Sequence, residues 1–357
     1  MKIVVLTAGP TTLAVRVLPL TMSLEAYGIE CKVPLPIPWG HIAGEKLGRI
    51  MSVALTHPLK EYIRILGDIP DIVIISGLAT PQIYLLQKLL KSRGVKVLFD
   101  MSDAIFLPTG RLFGINIRPG PFCTEKILKD VDFVTTNGHY LREYAMSFNM
   151  ETAIVHDPID TMLFSPRLKS RKKSITIGWE GNPRMHYENL TMLIKSLESL
   201  SGEFDIRFKI VSFLGDLRVK QLFKGLENTM KIDYGSDSWL PLEDFAECMS
   251  DFDILVSPLQ KTGWYEGKSG FRAGVGMAMG IPVVASPVGE QKHIIRHGIN
   301  GFLAETEEDW YRYLKILIKD GRLRRLMGHN GRETAEKELS LPICGKKLFE
   351  IITELIK

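Results

Sequence analysis

The chain has 357 residues, 45% of them hydrophobic and 24% charged, with a formal net charge of +4. These values exclude a disordered or collagen-like chain and predict two domains of ordinary size rather than one. They also argue against nucleic-acid binding, which needs a concentrated basic face, while leaving room for an anionic ligand.

Met1-Lys2 leads into Ile3-Val4-Val5-Leu6, an apolar run too short for a signal peptide, which reads as a first buried strand. Further short apolar runs follow at Ile72–Ile75, Val95–Phe99, Phe133–Thr135 and Thr152–Val155. Between them lie amphipathic segments such as Pro81–Ser92, where Ile83, Leu86, Leu89 and Leu90 fall on one helical face. Alternation of this kind predicts βαβ units around a parallel sheet, whose strands are apolar because both faces are covered. No run reaches the roughly 18 apolar residues of a membrane span. The stretch Ala273–Ala285 is interrupted by Gly274, Gly276, Gly280 and Pro282.

Arg167–Lys173 is strongly basic, follows Pro158 and Pro166, and shows no apolar periodicity, so it reads as a linker. The strand–helix pattern then restarts with Ile175–Trp179, Phe208–Phe213, Asp253–Val256 and Pro282–Ala285 as strands. Tyr187–Leu200, Leu242–Met249 and Phe271–Met279 are the helices between them, and Glu307–Lys357 is predicted as helices separated by Gly321, Gly328 and Gly331. The organisation expected is α/β throughout. A Rossmann-like domain over 1–165 would precede a second over 166–340, with a helix over 341–357 crossing back to the first. Doubly wound sheets of this sort hold ligands at the carboxyl ends of their strands, in the cleft the two domains would share.

Cys31, Cys123, Cys248 and Cys344 lie far apart with no CxxC pair or Cys/His cluster, which predicts reduced, packed thiols in a cytosolic protein and no zinc site.

The chemistry concentrates after Asp253–Val256. There Gly267-Lys-Ser-Gly-Phe-Arg272 forms a glycine-bearing loop opening onto a helix. Backbone N–H groups at such a helix start favour an anion. Lys268 and Arg272 stand four apart, so both can lie on one face. Two cations at a helix N-terminus disfavour the helix itself, a cost that a bound diphosphate reverses. A solvated basic helix start is the plainer alternative. The helix ends at Gly280, and Pro282 opens the next strand.

These residues resemble the donor-binding region of retaining glycosyltransferase family 4, the group 1 glycosyltransferases. The family pattern has two spaced glutamates, then Ala-Met-Ala-x-Gly-x-Pro-Val-Val and a glycine-rich turn. Met277-Ala-Met-Gly-Ile-Pro-Val-Val-Ala285 and Gly298-Ile-Asn-Gly301 match it. Gly267-Lys-Ser-Gly-Phe-Arg272 is similar to a branch reading Gly-Lys-x-Gly-Phe-Lys, with arginine at the last place. Ile177-Gly-Trp-Glu-Gly-Asn182, Phe99–Phe106 and Asp130–Asn137 carry the resemblance along the chain. It departs at the glutamates. The second would fall at Val275 and the first at Gly267, with Glu266 one place early, which puts ribose recognition in question.

The resemblance implies a GT-B fold and transfer of a sugar, with retention and without an essential metal, from a UDP- or GDP-linked donor to a glycan, lipid or other hydroxyl acceptor. No cofactor is implied. It implies catalytic roles for Lys268, Arg272 and Glu266, and donor binding by the loop residues Gly267, Ser269, Gly270 and Phe271. Arg184, after the Gly181-Asn182-Pro183 turn, suits a diphosphate because a guanidinium meets phosphate oxygens bidentately. Trp239 could stack on a base and Glu290 touch a sugar hydroxyl, against a packed tryptophan and a solvated carboxylate. Gly9, Pro10 and Thr11 form a loop after the first strand that approaches phosphate or acceptor in such enzymes. Arg16, Asp100 and Asp103 are further candidates there, with a surface arginine and a local Asx turn as their alternatives. Asp251-Phe-Asp253 leads into a buried strand and is not read as a metal motif. The basic run Arg167–Lys173 is a candidate for peripheral contact with the inner membrane face. Two rivals remain: a non-catalytic protein of this fold that binds a nucleotide sugar or carbohydrate, and a sugar-nucleotide epimerase.

Overall fold

The computed structural model describes residues 1–7, 12–34, 67–107, 111–112, 115–116, 120–167, 174–238 and 240–357. The chain divides into two compact units. One comprises Met1–Pro158, Gly267–Ser269 and Leu341–Lys357, and the other Ile159–Glu266 and Gly270–Ser340. The division falls at Pro158, ahead of the expected 165, because Ile159 and Phe164 are buried in the second unit's core. Of the predicted linker, 168–173 lies outside the described residues.

The first unit contains β1 (Lys2–Thr7), a π-helical turn (Leu13–Val17) running into α1 (Leu18–Glu25), β2 (Glu30–Lys32), β3 (Ile72–Ser76), α2 (Pro81–Ser92) and β4 (Lys96–Met101). A two-stranded antiparallel pair, β5 (Arg111–Leu112) and β6 (Ile115–Asn116), precedes α3 (Gly120–Asp130), β7 (Phe133–Thr136), α4 (His139–Met146) and β8 (Thr152–Ile154). The main sheet is parallel, in the order β2-β1-β3-β4-β7-β8. Every residue of β3 is buried, as the continuous apolar run requires of a central parallel strand. At α2, the Thr80 side chain accepts from Ile83 N, and Pro81 opens the helix where its missing N–H costs nothing. The buried face is Ile83, Leu86, Gln87 and Leu90, whereas Leu89 is 39% exposed. Gln87 takes the inner position because its Nε2 donates to the Ile127 carbonyl at 3.3 Å.

The C-terminal helix (Leu341–Ile356) packs into this unit. Cys344, Leu348 and Ile352 join Ile3, Val5, Leu24 and Ile72 in one core, and Tyr27 stacks on Phe349 with centroids 4.2 Å apart.

The second unit contains β9 (Ile175–Glu180), α5 (Tyr187–Thr191), α6 (Ile194–Ser201), β10 (Ile206–Val211), α7 (Leu217–Phe223), β11 (Lys231–Tyr234), α8 (Leu242–Met249) and β12 (Ile254–Ser257). Then come α9 (Gly263–Glu266), α10 (Phe271–Ala278), β13 (Val283–Ala285), α11 (Gln291–Ile294), β14 (Phe302–Leu303), α12 (Glu307–Lys319) and α13 (Gly321–Thr334). Its sheet is parallel, in the order β11-β10-β9-β12-β13-β14. Successive strand residues point to opposite faces. Accordingly Ile254 and Val256 join the core containing Trp179 and Trp310, while Leu255 joins the core containing Val275 and Val283.

The tail departs from its sequence reading. Gly328 and Gly331 lie inside α13 rather than between helices. A Cβ at Gly328 would overlap the Gly280 carbonyl, and one at Gly331 would press on Met277 at 3.3 Å, so these glycines let α13 approach α10 and the turn after it. Among the described residues, no helix is long and apolar enough to cross a membrane.

Candidate functional site

In the second unit, chain order reverses between β9 and β12. The later strands β10 and β11 continue on one side, and β12, β13 and β14 on the other. At such a reversal the loops leaving adjacent strands diverge and open a crevice at the carboxyl ends. Those ends are Glu180-Gly181, Ser257-Pro258 and Ser286-Pro287.

Buried polar side chains connect them. Ser257 Oγ donates to Gln291 Oε1 at 2.9 Å, and Gln291 Nε2 donates to the carbonyls of Ser257 (3.2 Å) and Ser286 (2.6 Å). Arg272, in the first turn of α10, donates from Nε to the Glu180 carbonyl at 2.7 Å. The same nitrogen lies 3.2 Å from Glu180 Oε1, and Nη1 lies 3.4 Å from Ser257 Oγ. The guanidinium sits 5.1 Å from the centroid of the Trp179 ring. Burial pushes the Glu180 carboxyl above its ordinary range and the Arg272 pKa below its own, each opposed by the other's charge. Gly181 makes room for this pair. Its φ is +136°, and a Cβ there would stand 2.6 Å from Arg272 Nη2.

Gly270 precedes α10 in the left-handed conformation, with φ +73° and no side-chain cap on the helix. The first-turn N–H groups of a helix have no partner within it, so such an end suits an anion. A Cβ at Gly270 would lie 3.0 Å from Gln291 N. Just before, Glu266 Oε2 accepts from Gly289 N at 3.2 Å and from Lys292 Nζ at 2.8 Å. Glu290 is 2% exposed, which corrects the solvated-carboxylate alternative, and it occupies the N-cap position of α11. Arg184 donates from Nη2 to the Leu214 carbonyl at 3.2 Å, and Asn182 Oδ1 accepts from Arg184 N at 3.1 Å. Phe271 starts α10 and packs against the second apolar core. Val275 is fully buried in that core, so at this position an apolar contact replaces the carboxylate of the family pattern. Trp239 lies outside the described residues.

Gly267, Lys268 and Ser269 count with the first unit. There Lys268 Nζ pairs with Asp103 Oδ1 at 2.7 Å, and a Cβ at Gly267 would press on the Ala104 side chain at 2.8 Å. Arg16 is 1% exposed, which corrects its surface reading. Its guanidinium holds Asp100 at 2.6 and 2.9 Å, Asp157 at 2.9 Å and the Val155 carbonyl at 2.8 Å. Asp100 also accepts from Ser76 Oγ and Thr135 Oγ1, both at 2.7 Å. Burial pushes Asp100 up, but Arg16, Ser76 and Thr135 together outweigh it and leave the carboxyl below its ordinary range. Burial dominates at Asp157 and raises it, against the pull of Arg16 and Ser269. Arg16 and Asp100 are therefore buried partners of each other, against the surface reading of the one and the local Asx turn of the other. Gly9, Pro10 and Thr11 lie outside the described residues. Asp251 pairs with Lys209 at 3.2 Å and Arg207 at 3.3 Å, and Asp253 Oδ2 accepts from Thr176 N at 2.9 Å.

Sequence reasoning missed Glu180, Ser257 and Gln291. A polar residue closing each apolar strand was the available signal for the first two. Gln291 carried none, since its role depends on β12 and β13 lying side by side.

Residues 174–320 match the family model described as "Glycosyl transferases group 1". A curated relative, an uncharacterized glycosyltransferase of Methanocaldococcus jannaschii, is 32% identical over 141 residues. That match covers 38% of this chain, and the chain spans only 37% of the relative's length. Among solved structures, a glycosyltransferase from Rickettsia africae superposes with a TM-score of 0.72 at 17% identity, covering 100% of this chain and 99% of that one. The Anabaena protein HepE in complex with UDP-glucose superposes with a TM-score of 0.68 at 14% identity, covering 99% of this chain and 100% of that one. At these identities the structural likeness establishes the fold.

Proposed function

We propose, from the premise that residues 174–320 are a group 1 glycosyltransferase domain in a chain of GT-B fold, that this protein moves a sugar from a nucleotide-diphosphate sugar to a hydroxyl acceptor. The observation that carries the proposal is the buried network at the β9/β12 reversal, where Arg272 and the uncapped start of α10 stand together. An arginine edge and a row of backbone N–H groups match the two charges of a diphosphate leaving group, and they stabilise most strongly as that charge grows. The UDP-glucose held by HepE supports a donor of this chemical class.

In this reading Arg272 and Gly270 hold the diphosphate. Glu266 and Glu290 address hydroxyls of ribose or sugar, a task that Val275 cannot take. Arg184, at the Gly181-Asn182 turn, flanks the phosphates. Retention, independence from metal ions, a UDP or GDP donor and a glycan or lipid acceptor complete the proposal. The basic run Arg167–Lys173 would meet the membrane surface if the acceptor is a lipid.

A thermal-shift screen with UDP, GDP and their sugars tests the donor site, because a ligand that binds the native state raises the midpoint by mass action. Release of free nucleotide from one donor, persisting in EDTA, would support metal-free transfer. Diphosphate binding without turnover of any donor would instead favour a non-catalytic binding protein, and isomerisation of the sugar while still nucleotide-linked would favour an epimerase.

A further inference from the structure

The geometry around Arg272 is asymmetric. Its Nε edge is held twice by one residue, through the Glu180 carbonyl at 2.7 Å and the Glu180 carboxylate at 3.2 Å. Its Nη1 reaches only a long contact with Ser257 Oγ at 3.4 Å, and among the described residues Nη2 has no hydrogen-bond partner. Both side chains are 12% exposed, so the pair is largely withdrawn from water yet reachable. The Trp179 ring 5.1 Å away restricts the guanidinium on one side, and Gly181 leaves the space beside Nη2 without a side chain.

A guanidinium is planar, with its donors in a rigid fork. Tying the Nε edge fixes the plane and leaves the Nη edge for a second partner. An unrestrained arginine would have to give up rotamer freedom when the ligand arrives, and a restrained one has given it up on folding. Glu180 supplies this restraint from the last position of β9, where strand pairing sets its backbone.

We propose that Glu180 is a positioning residue: it holds Arg272 by one edge so that the other edge is offered to the diphosphate of the donor. The inference rests on the proposed donor site and adds a residue the resemblance does not assign. Glu180 acts only through Arg272 and does not itself meet the ligand.

The test is a double-mutant cycle on the full chain, read by binding of UDP and GDP with uridine and guanosine as controls. Glu180→Ala is expected to weaken diphosphate binding about tenfold, equivalent to about 1.4 kcal/mol, and to leave nucleoside binding unchanged. In an Arg272→Ala background the same change should have no further effect. Glu180→Gln keeps an acceptor oxygen and removes a negative charge, so its diphosphate affinity should stand at or above wild type. Additive effects, unchanged diphosphate affinity in Glu180→Ala, or equal loss of nucleoside and diphosphate would each overturn the inference while leaving the donor site intact. A wild-type chain that binds neither UDP nor GDP would overturn the donor-site reading, and the inference with it.

Discussion

Arg272 and Glu180 form a pair in which one nitrogen, Nε, meets both the backbone carbonyl and the carboxylate of the same residue, at 2.7 and 3.2 Å. The arrangement depends on Gly181, the next residue in the chain. A Cβ at Gly181 would stand 2.6 Å from Arg272 Nη2 and push the guanidinium aside, and the φ of +136° is itself a conformation for glycine.

Gly181→Ala should therefore cost about 1–3 kcal/mol from backbone strain and displace Arg272 as well. Thermal unfolding with and without UDP or GDP reads both effects. An alanine variant with unchanged midpoint and unchanged ligand shift would refute the steric account.

The first unit contains a similar but less exposed arrangement. Arg16 neutralises two buried carboxylates, Asp100 and Asp157, at contacts of 2.6 and 2.9 Å. Removing the cation leaves both acids uncompensated. Arg16→Met should lower stability by about 3–5 kcal/mol, because a buried charge without its partner keeps the full desolvation cost. Denaturant unfolding measures this. A loss below about 1 kcal/mol, the range of surface pairs, would contradict burial of the network.

His156 predicts an acid limit. Its Nδ1 lies 3.3 Å from the Asn137 carbonyl, and burial pushes its pKa down to about 4 from an ordinary 6.5. The folded state thus resists a proton that the unfolded chain accepts. Stability is unaffected above pH 6.5 and falls as pH drops from there toward 4, by roughly 3 kcal/mol in all for a shift of this size. Urea midpoints at pH 7 and pH 4.5 should therefore converge in His156→Asn relative to wild type. Equal acid sensitivity in the two proteins would exclude His156 as the cause.

Gly328 tests the helix contact. Since a Cβ there would overlap the Gly280 carbonyl, Gly328→Ala should destabilise by about 1–3 kcal/mol despite alanine's better helix propensity. A stabilised variant would show that α13 can move aside freely.

The βαβ pattern was legible because buried parallel strands need unbroken apolar runs: Ile72–Ser76 and Ile254–Ser257 stand close to where those runs predict. The start of α10 was legible for a similar local reason, since the left-handed Gly270 and the Gly280 turn are conformations that only certain residues adopt at low cost. Strands β2 and β14 were not, because Glu30-Cys31-Lys32 offers no apolar run and Phe302–Leu303 is too short to show a period.

By itself, then, the sequence determined the two α/β units, the glycine-bearing loop and its resemblance to a known donor region, all of which depend on residue type and spacing. Only the tertiary structure decided which charges are already spent. Lys268 on Asp103, Arg16 on Asp100 and Asp157, and Arg272 on Glu180 are pairs separated by many residues along the chain. A charged side chain acts on whatever lies within a few ångströms of it, and that neighbourhood exists only once the strands are side by side.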